Sequence, residues 1–276
     1  MRYVSYVVPE EIENPSLMRA ILDSPAPDRP RRAYAAWLRA NQNAYRADFI
    51  ETQLDLAQKR REHKRVREWA PLSDRCDEIL KTAAFSWRKP LAELIDRDVV
   101  KRPQFMRGFV EYITIDAEQF DKRADDLFSR APILHVSLTD VVRRPELFAN
   151  VSIGRLVTID ISGQQVDDAT IETLARSPHV RNVRLLDISA NRITQTGLDA
   201  ICASPNLKQL LYVNCVGNKF PDPTDIAGTE GEEIIQTDPS DAGAALEKRF
   251  GRIGWLHAPD YFDVAYPPTM LAVEPS

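Results

Sequence analysis

The feature that most constrains the fold of this chain is an apolar pattern that recurs at a fixed interval. Three copies begin at Leu156, Val183 and Leu210, each 27 residues after the one before. Each has aliphatic, Phe or Cys side chains at positions one, four, six and eleven. Two further copies begin at Val110 and Ile133, 23 residues apart, with a weaker ending. Five copies in register predict a repeat architecture.

Within each copy the residue spacing predicts a short strand followed by a return segment. Positions four and six alternate as in a strand with its apolar face inward, and the Asn at position nine can bond backbone groups where the chain turns. Residues 167–177 and 194–204 have helical apolar spacing. Both end at a Ser-Pro pair, where the residue before proline is pushed out of the helical region. One such unit cannot bury its apolar face alone, so neighbours must stack.

The segment LLDISANRITQTGLDAICASPNL, residues 185–207, resembles leucine-rich repeats of the ribonuclease-inhibitor type. The resemblance extends over residues 106–220, with Gln164 in place of the turn Asn in one copy. It implies an α/β fold, namely a right-handed leucine-rich repeat solenoid with parallel β-strands on the concave face and helices outside. We therefore assign residues 106–220 to an array of about five repeats.

Residues 1–105 predict an α-helical domain ahead of the array. A proline-rich run at 24–30 separates two helical stretches, with Asp28 as a candidate N-cap, and a longer helix follows from Ala44. The sequence of residues 17–57 resembles the bacterial repeat-companion domain. That resemblance implies an α-helical cap without catalytic activity. Ala36 stands where this family has an acid, so no role of that acid is carried over.

Residues 221–276 predict an acidic loop followed by a C-terminal cap. Eight acids and no Lys or Arg occur in 221–247, and Pro and Gly residues block regular structure in its first half. Residues 241–250 predict a last helix. Whether the loop at 221–240 orders on binding is not decided by the sequence.

Charge and cysteine spacing exclude several classes of partner and cofactor. The formal net charge of −5 disfavours nucleic acid and anionic membranes as partners. No apolar run reaches the roughly 18 residues of a membrane helix, so we expect a cytoplasmic protein. Cys76, Cys202 and Cys215 lie far apart, and the four histidines are scattered. The sequence therefore predicts no disulfide framework, no metal site and no cofactor.

The repeat register assigns a candidate partner-binding surface to the concave face. Positions three, five and seven of each copy point away from the core. The first two rows of predicted contact residues are Tyr112, His135, Thr158, Leu185 and Tyr212, and Thr114, Ser137, Asp160, Asp187 and Asn214. The third row is Asp116, Thr139, Ser162, Ser189 and Val216. Tyrosines beside short polar groups favour a protein or peptide partner.

No local signature of common hydrolases, zinc proteases or nucleotide sites occurs, so we expect a non-enzymatic protein–protein interaction module. One alternative is an accessory or regulatory subunit of an enzyme complex. Another is a nucleic-acid adaptor that uses a basic helix at 59–67, where Arg60, Lys64 and Arg67 share a face and bind anions. The same basic residues also fit a solvated helix face. Similarly, Asp160 and Asp187 fit either paired acid–base or metal chemistry, or side chains that face solvent or help to fix the strand edge.

Overall fold

A computed structural model describes residues 12–62, 64–221, 223 and 240–257. These residues form nine α-helices and six β-strands. The helices are α1 (Pro15–Asp23), α2 (Arg29–Ala40), α3 (Ala44–Arg61), α4 (Val66–Trp87), α5 (Ala92–Asp96), α6 (Ala117–Arg130), α7 (Asp168–Arg176), α8 (Gln195–Ala203) and α9 (Asp241–Phe250). The strands are β1 (Val100–Met106), β2 (Phe109–Asp116), β3 (His135–Thr139), β4 (Thr158–Asp160), β5 (Leu185–Asp187) and β6 (Tyr212–Asn214). They follow one another in chain order in one mostly parallel sheet, so the fold is mixed α/β.

The described residues divide into two compact units. The first comprises residues 12–113 and 126–133, and the second comprises 114–125 and 134–257 where described. In the first unit α1 packs on α2, α2 on α3, and α3 on α4. Their shared core includes Ile21, Leu38 and Ile50, all at most 1% exposed. The helices predicted around the proline-rich run and from Ala44 are present at those places.

A buried network of charges holds the proline-rich run of the first unit. Glu111 accepts hydrogen bonds from Arg31 at 2.5 Å and from Arg107 at 2.8 Å, and the side chains of all three are at most 1% exposed. Burial lowers the pKa of Arg31 to about 10. Arg107 also donates to the carbonyl oxygens of Ala26 and Pro25. The network thus fixes a segment that has no regular hydrogen bonding of its own.

Asp28 occupies the N-cap position of α2, as predicted. Its carboxylate, however, accepts no hydrogen bond from a backbone N–H of that helix. It accepts hydrogen bonds from Arg61 at 2.6 Å and from Arg107 at 3.1 Å instead. A charge-assisted bond to a guanidinium is stronger than a capping bond, and here two of them compete with the cap.

In the second unit, strands and helices recur at the predicted spacing. Strands β3 to β6 pair in parallel, and α7 and α8 follow β4 and β5. Each of these helices ends at the Ser of a Ser-Pro pair, as predicted. Ser177 donates to the carbonyl oxygen of Phe148 at 2.5 Å, and Ser204 donates to that of Ala175 at 2.6 Å. The serine that ends one helix therefore also bonds the preceding return segment.

The Asn at position nine bonds the backbone at the turn, as predicted. Asn191 Oδ1 accepts from the N–H groups of Gln164 and Val166, both at 3.0 Å. Its Nδ2 donates to the carbonyl oxygens of Ile161, Ile188 and Ser189. One buried amide thus satisfies backbone groups of two successive copies, which links their turns.

The helix predicted at 241–250 is present as α9, which packs on α8. Residues 222 and 224–239, most of the predicted acidic loop, and residues 258–276 lie outside the described residues.

Candidate partner-binding surface

The parallel register brings the predicted rows of the second unit together. Thr158 pairs with Leu185, and Leu185 with Tyr212. One pleat further along, Asp160 pairs with Asp187, and Asp187 with Asn214. His135 and Ser137 extend the same two rows on β3, opposite Thr158 and Asp160. Side chains that lie 27 residues apart in the sequence are therefore neighbours across the sheet.

The first row is closed to solvent over most of its length. His135 and Thr158 are 0% exposed and Leu185 is 4% exposed, while Tyr212 is half-buried. The His135 Nδ1 atom lies 2.7 Å from the Thr158 hydroxyl oxygen, so the two polar side chains bond each other. Tyr112 belongs to the first unit and is also buried, at 4%. Within this row a partner reaches only the Tyr212 ring without rearrangement.

The second row has a polar character and restricted access. Asp160 and Asp187 are each 8% exposed, whereas Thr114, Ser137 and Asn214 are half-buried. Burial raises the pKa of Asp187, and the neighbouring carboxylate of Asp160 acts in the same direction. Burial of a carboxylate disfavours its charged form, which is the physical cause of the shift.

Both carboxylates accept hydrogen bonds from neighbouring groups of the protein. Asp187 Oδ1 accepts from the N–H and the hydroxyl of Ser189, and Oδ2 accepts from Asn214 Nδ2 at 3.0 Å. Asp160 Oδ1 accepts from the N–H of Ser162 at 2.9 Å. The repeated Asp-x-Ser thus closes the turn at the end of each strand. This geometry fits the prediction that the two carboxylates fix the strand edge.

The third row is the more accessible part of the surface. Asp116, Thr139, Ser162 and Ser189 are half-buried, and Val216 is 49% exposed. These residues lie at the carboxyl ends of the strands, beside the Asp-x-Ser turns. The repeat register already placed them on this face, but it did not indicate that they would be more accessible than the rows before them.

The basic residues at 59–67 do not form the predicted stripe. Helix α3 ends at Arg61 and α4 begins at Val66, so Arg60 lies on a different helix from Arg67, and Lys64 lies on neither. Arg60 is 5% exposed, and its guanidinium lies 4.4 Å from the Trp69 ring centroid. This guanidinium therefore packs on an aromatic ring of α4 and is not part of an exposed basic face. Lys64 and Arg67 are exposed.

A groove lies on the helical side of the second unit. It has a volume of about 510 Å³ and is lined by residues of α7, α8 and α9, among them Arg176, Ala203 and Phe250. Its rim carries a salt bridge between Arg249 and Asp199. The groove is therefore a second concavity that a partner could occupy, on helices rather than strands.

The described residues contain no group of three or more His, Cys, Asp or Glu side chains placed to hold a metal ion. No helix among them combines the length and hydropathy needed to cross a bilayer.

Comparison with known protein families finds no family model that matches the chain, and a search of curated proteins finds no significant similarity.

Proposed function

We propose that this chain is a non-enzymatic interaction module of the leucine-rich repeat type, with an α-helical cap, that binds a protein or peptide in the cytoplasm. The observation that carries the proposal is the in-register row of accessible side chains at the strand ends, above two buried carboxylates. Ser162, Ser189 and Val216 belong to this row. Parallel strands that carry short side chains leave room for an extended partner segment.

The electrostatics of this surface favours a partner that supplies hydrogen-bond donors. Asp160, Asp187 and the half-buried Asp116 bring carboxylates to this surface, and the burial of Asp160 and Asp187 weakens screening of their charge by solvent. A partner N–H or cationic group placed over them stabilises the ionised form of Asp187, whose pKa is raised in the free protein. The half-buried Tyr212 ring adds apolar contact area beside these carboxylates.

Two alternative functions are supported by fewer of the structural observations. An accessory subunit of an enzyme complex would use the same surface and differs only in what the partner does. A nucleic-acid adaptor needs a basic face, yet Arg60 is turned into the fold and Arg61 is paired with Asp28. Binding to a phosphate backbone through this segment would therefore engage few of its basic groups.

The test is a quantitative comparison of proteins that co-purify from source cells with the native chain and with two charge-matched double variants. The first variant, Ser162→Arg with Val216→Arg, places bulk and positive charge at the strand ends. The control, Thr173→Arg with Thr196→Arg, adds the same charge to α7 and α8. We expect the first variant to lose the partner and the control to keep it.

Loss of the partner by the control alone would place the binding site in the helical groove. If both variants fold and both keep the partner, the strand-end surface, that is the third row of residues, is not the binding site. Activity that appears only in the recovered complex would identify the accessory-subunit alternative. The nucleic-acid adaptor would be favoured if nucleic acid appears in the eluate and if binding by both the native chain and the control is lost as the salt concentration is raised.

A further inference from the structure

A small cavity in the first unit brings three guanidinium groups to one place. It has a volume of about 30 Å³ and is lined by Arg46 of α3, Arg88 just after α4, and Arg130 at the end of α6. The one carboxylate in the lining belongs to Glu13, which is exposed. The charged groups around this space therefore have a positive balance.

Two of the three arginines are held by groups of the protein itself. Arg46 is 5% exposed, donates to the carbonyl oxygen of Gly108 at 2.7 Å, and lies 4.0 Å from the Trp87 ring centroid. Arg130 donates to Asp126 at 2.7 Å and lies 3.8 Å from Glu93. Their positions in the cavity are thus fixed by packing and hydrogen bonds.

Arg88 is different, because its buried donor is unused. Its Nε atom is inaccessible to solvent and has no hydrogen-bond partner. Among the described residues no carboxylate lies within ion-pair distance of its guanidinium, which instead faces the Phe105 ring at 5.8 Å. Arg88 as a whole is half-buried, and a buried donor without an acceptor is costly. A negatively charged acceptor would remove this cost and pair the guanidinium charge.

We propose that this cavity binds the oxyanion head of a small ligand, a carboxylate or a phosphate, through Arg88. A water molecule needs about 10–15 Å³ of such space, so the cavity accepts roughly two oxygen atoms at once. Two oxygens on one centre match the parallel donors of a guanidinium. The lining includes the exposed residues Glu13 and Pro90, so the rest of the ligand extends towards solvent.

The cavity lining also contains apolar side chains, so we expect the part of the ligand next to its oxyanion head to be apolar. Tyr34, Trp87 and Phe109 contribute aromatic surface, and Leu91 adds an aliphatic side chain. Carboxylates and phosphates share the oxyanion chemistry, and the experiment separates them by using both as probes. The site lies in the first unit and does not depend on the proposed strand-end surface.

The test measures thermal stability and binding heat of the full chain with sodium phosphate and with sodium acetate, each against sodium chloride at equal ionic strength. The variants are Arg88→Met and the matched exposed neighbour Lys89→Met. We expect one or both oxyanions to raise the melting temperature of the native chain and of Lys89→Met, but not of Arg88→Met. The loss of a charge-assisted bond weakens binding roughly ten- to a hundredfold.

A response to phosphate alone identifies a phosphate ligand, and a response to acetate alone identifies a carboxylate. If Arg88→Met does not fold, Arg88→Lys keeps the charge while losing the paired donors, and weaker oxyanion binding is again expected. Equal stabilisation of the native chain and a folded Arg88 variant, or no stabilisation beyond that of chloride, would overturn the proposal.

Discussion

Replacing Asn191 by Ala tests whether position nine of the repeat links neighbouring copies. The side chain is 8% exposed and forms five hydrogen bonds to backbone groups, two as acceptor and three as donor. Alanine leaves the N–H groups of Gln164 and Val166 without this acceptor. At about 1–3 kcal/mol for each of these two donors left unsatisfied, we expect a loss of roughly 2–6 kcal/mol in the free energy of unfolding.

The same position in the neighbouring copies provides matched controls. Asn218 is half-buried and accepts from the N–H of Ile193 at 3.2 Å, while donating to two carbonyl oxygens. Gln164 donates to the carbonyl oxygen of Ser162 and accepts from the N–H of Asp140 at an exposed site. The expected order of destabilisation on substitution by Ala is therefore Asn191, then Asn218, then Gln164.

Denaturant unfolding measures the three losses, and hydrogen exchange locates them. Faster exchange of the Val166 amide is expected in Asn191→Ala, because that amide loses its acceptor. Amides in the first unit, such as that of Ile50, should exchange as in the native chain. Equal losses in all three variants, or an unchanged rate at Val166, would refute the role of this side chain as a link between turns.

Three further outcomes are expected. Glu111→Gln leaves Arg31 buried without a full charge partner, so the free energy of unfolding should fall by about 3–5 kcal/mol in denaturant titration. Because burial raises the pKa of Asp187 in the folded state, folding takes up a proton there, and the folded state loses stability as the pH rises from the unfolded-state pKa to the folded-state pKa. The stability of Asp187→Asn relative to the native chain should therefore be higher at pH 7 than at pH 4, and a constant difference across this range would contradict the shift. Gly108 has φ +91°, and an added Cβ would lie 2.5 Å from a side-chain carbon, so Gly108→Ala should cost about 2–5 kcal/mol from backbone strain and overpacking. Gly163→Ala, at φ +65° with nothing within 4 Å, should cost only about 1–2 kcal/mol, and equal melting temperatures for the two variants would contradict this.

Much of the second unit follows from local sequence pattern. The alternation at positions four and six places strands at Thr158–Asp160, Leu185–Asp187 and Tyr212–Asn214, at the predicted interval. The Ser-Pro pairs end α7 and α8 for a steric reason that acts between adjacent residues. Such features depend on the nearest few residues, so a single sequence is enough to predict them.

The basic segment shows where local pattern is insufficient. Helical spacing alone puts Arg60, Lys64 and Arg67 on one face, but the helix ends between them. Arg60 packs on Trp69, and Arg61 reaches Asp28, 33 residues earlier in the chain. Contacts over this sequence separation compete with helix propensity, and periodicity contains no information about them.

The repeat interval, the alternation that forms each strand and the residues at which the return helices end can all be read from the amino-acid sequence, because they depend on short-range sterics and side-chain direction. Which of the predicted surface residues are accessible depends instead on how the elements pack. His135, Thr158 and Leu185 of the first row are buried although the repeat register points them away from the core, whereas Val216 of the third row is exposed. The folded chain also brings Arg31 into a hydrogen-bonded ion pair with Glu111, 80 residues away in the sequence. Burial and charge pairing depend on which distant segments pack together, and no spacing within one repeat specifies that.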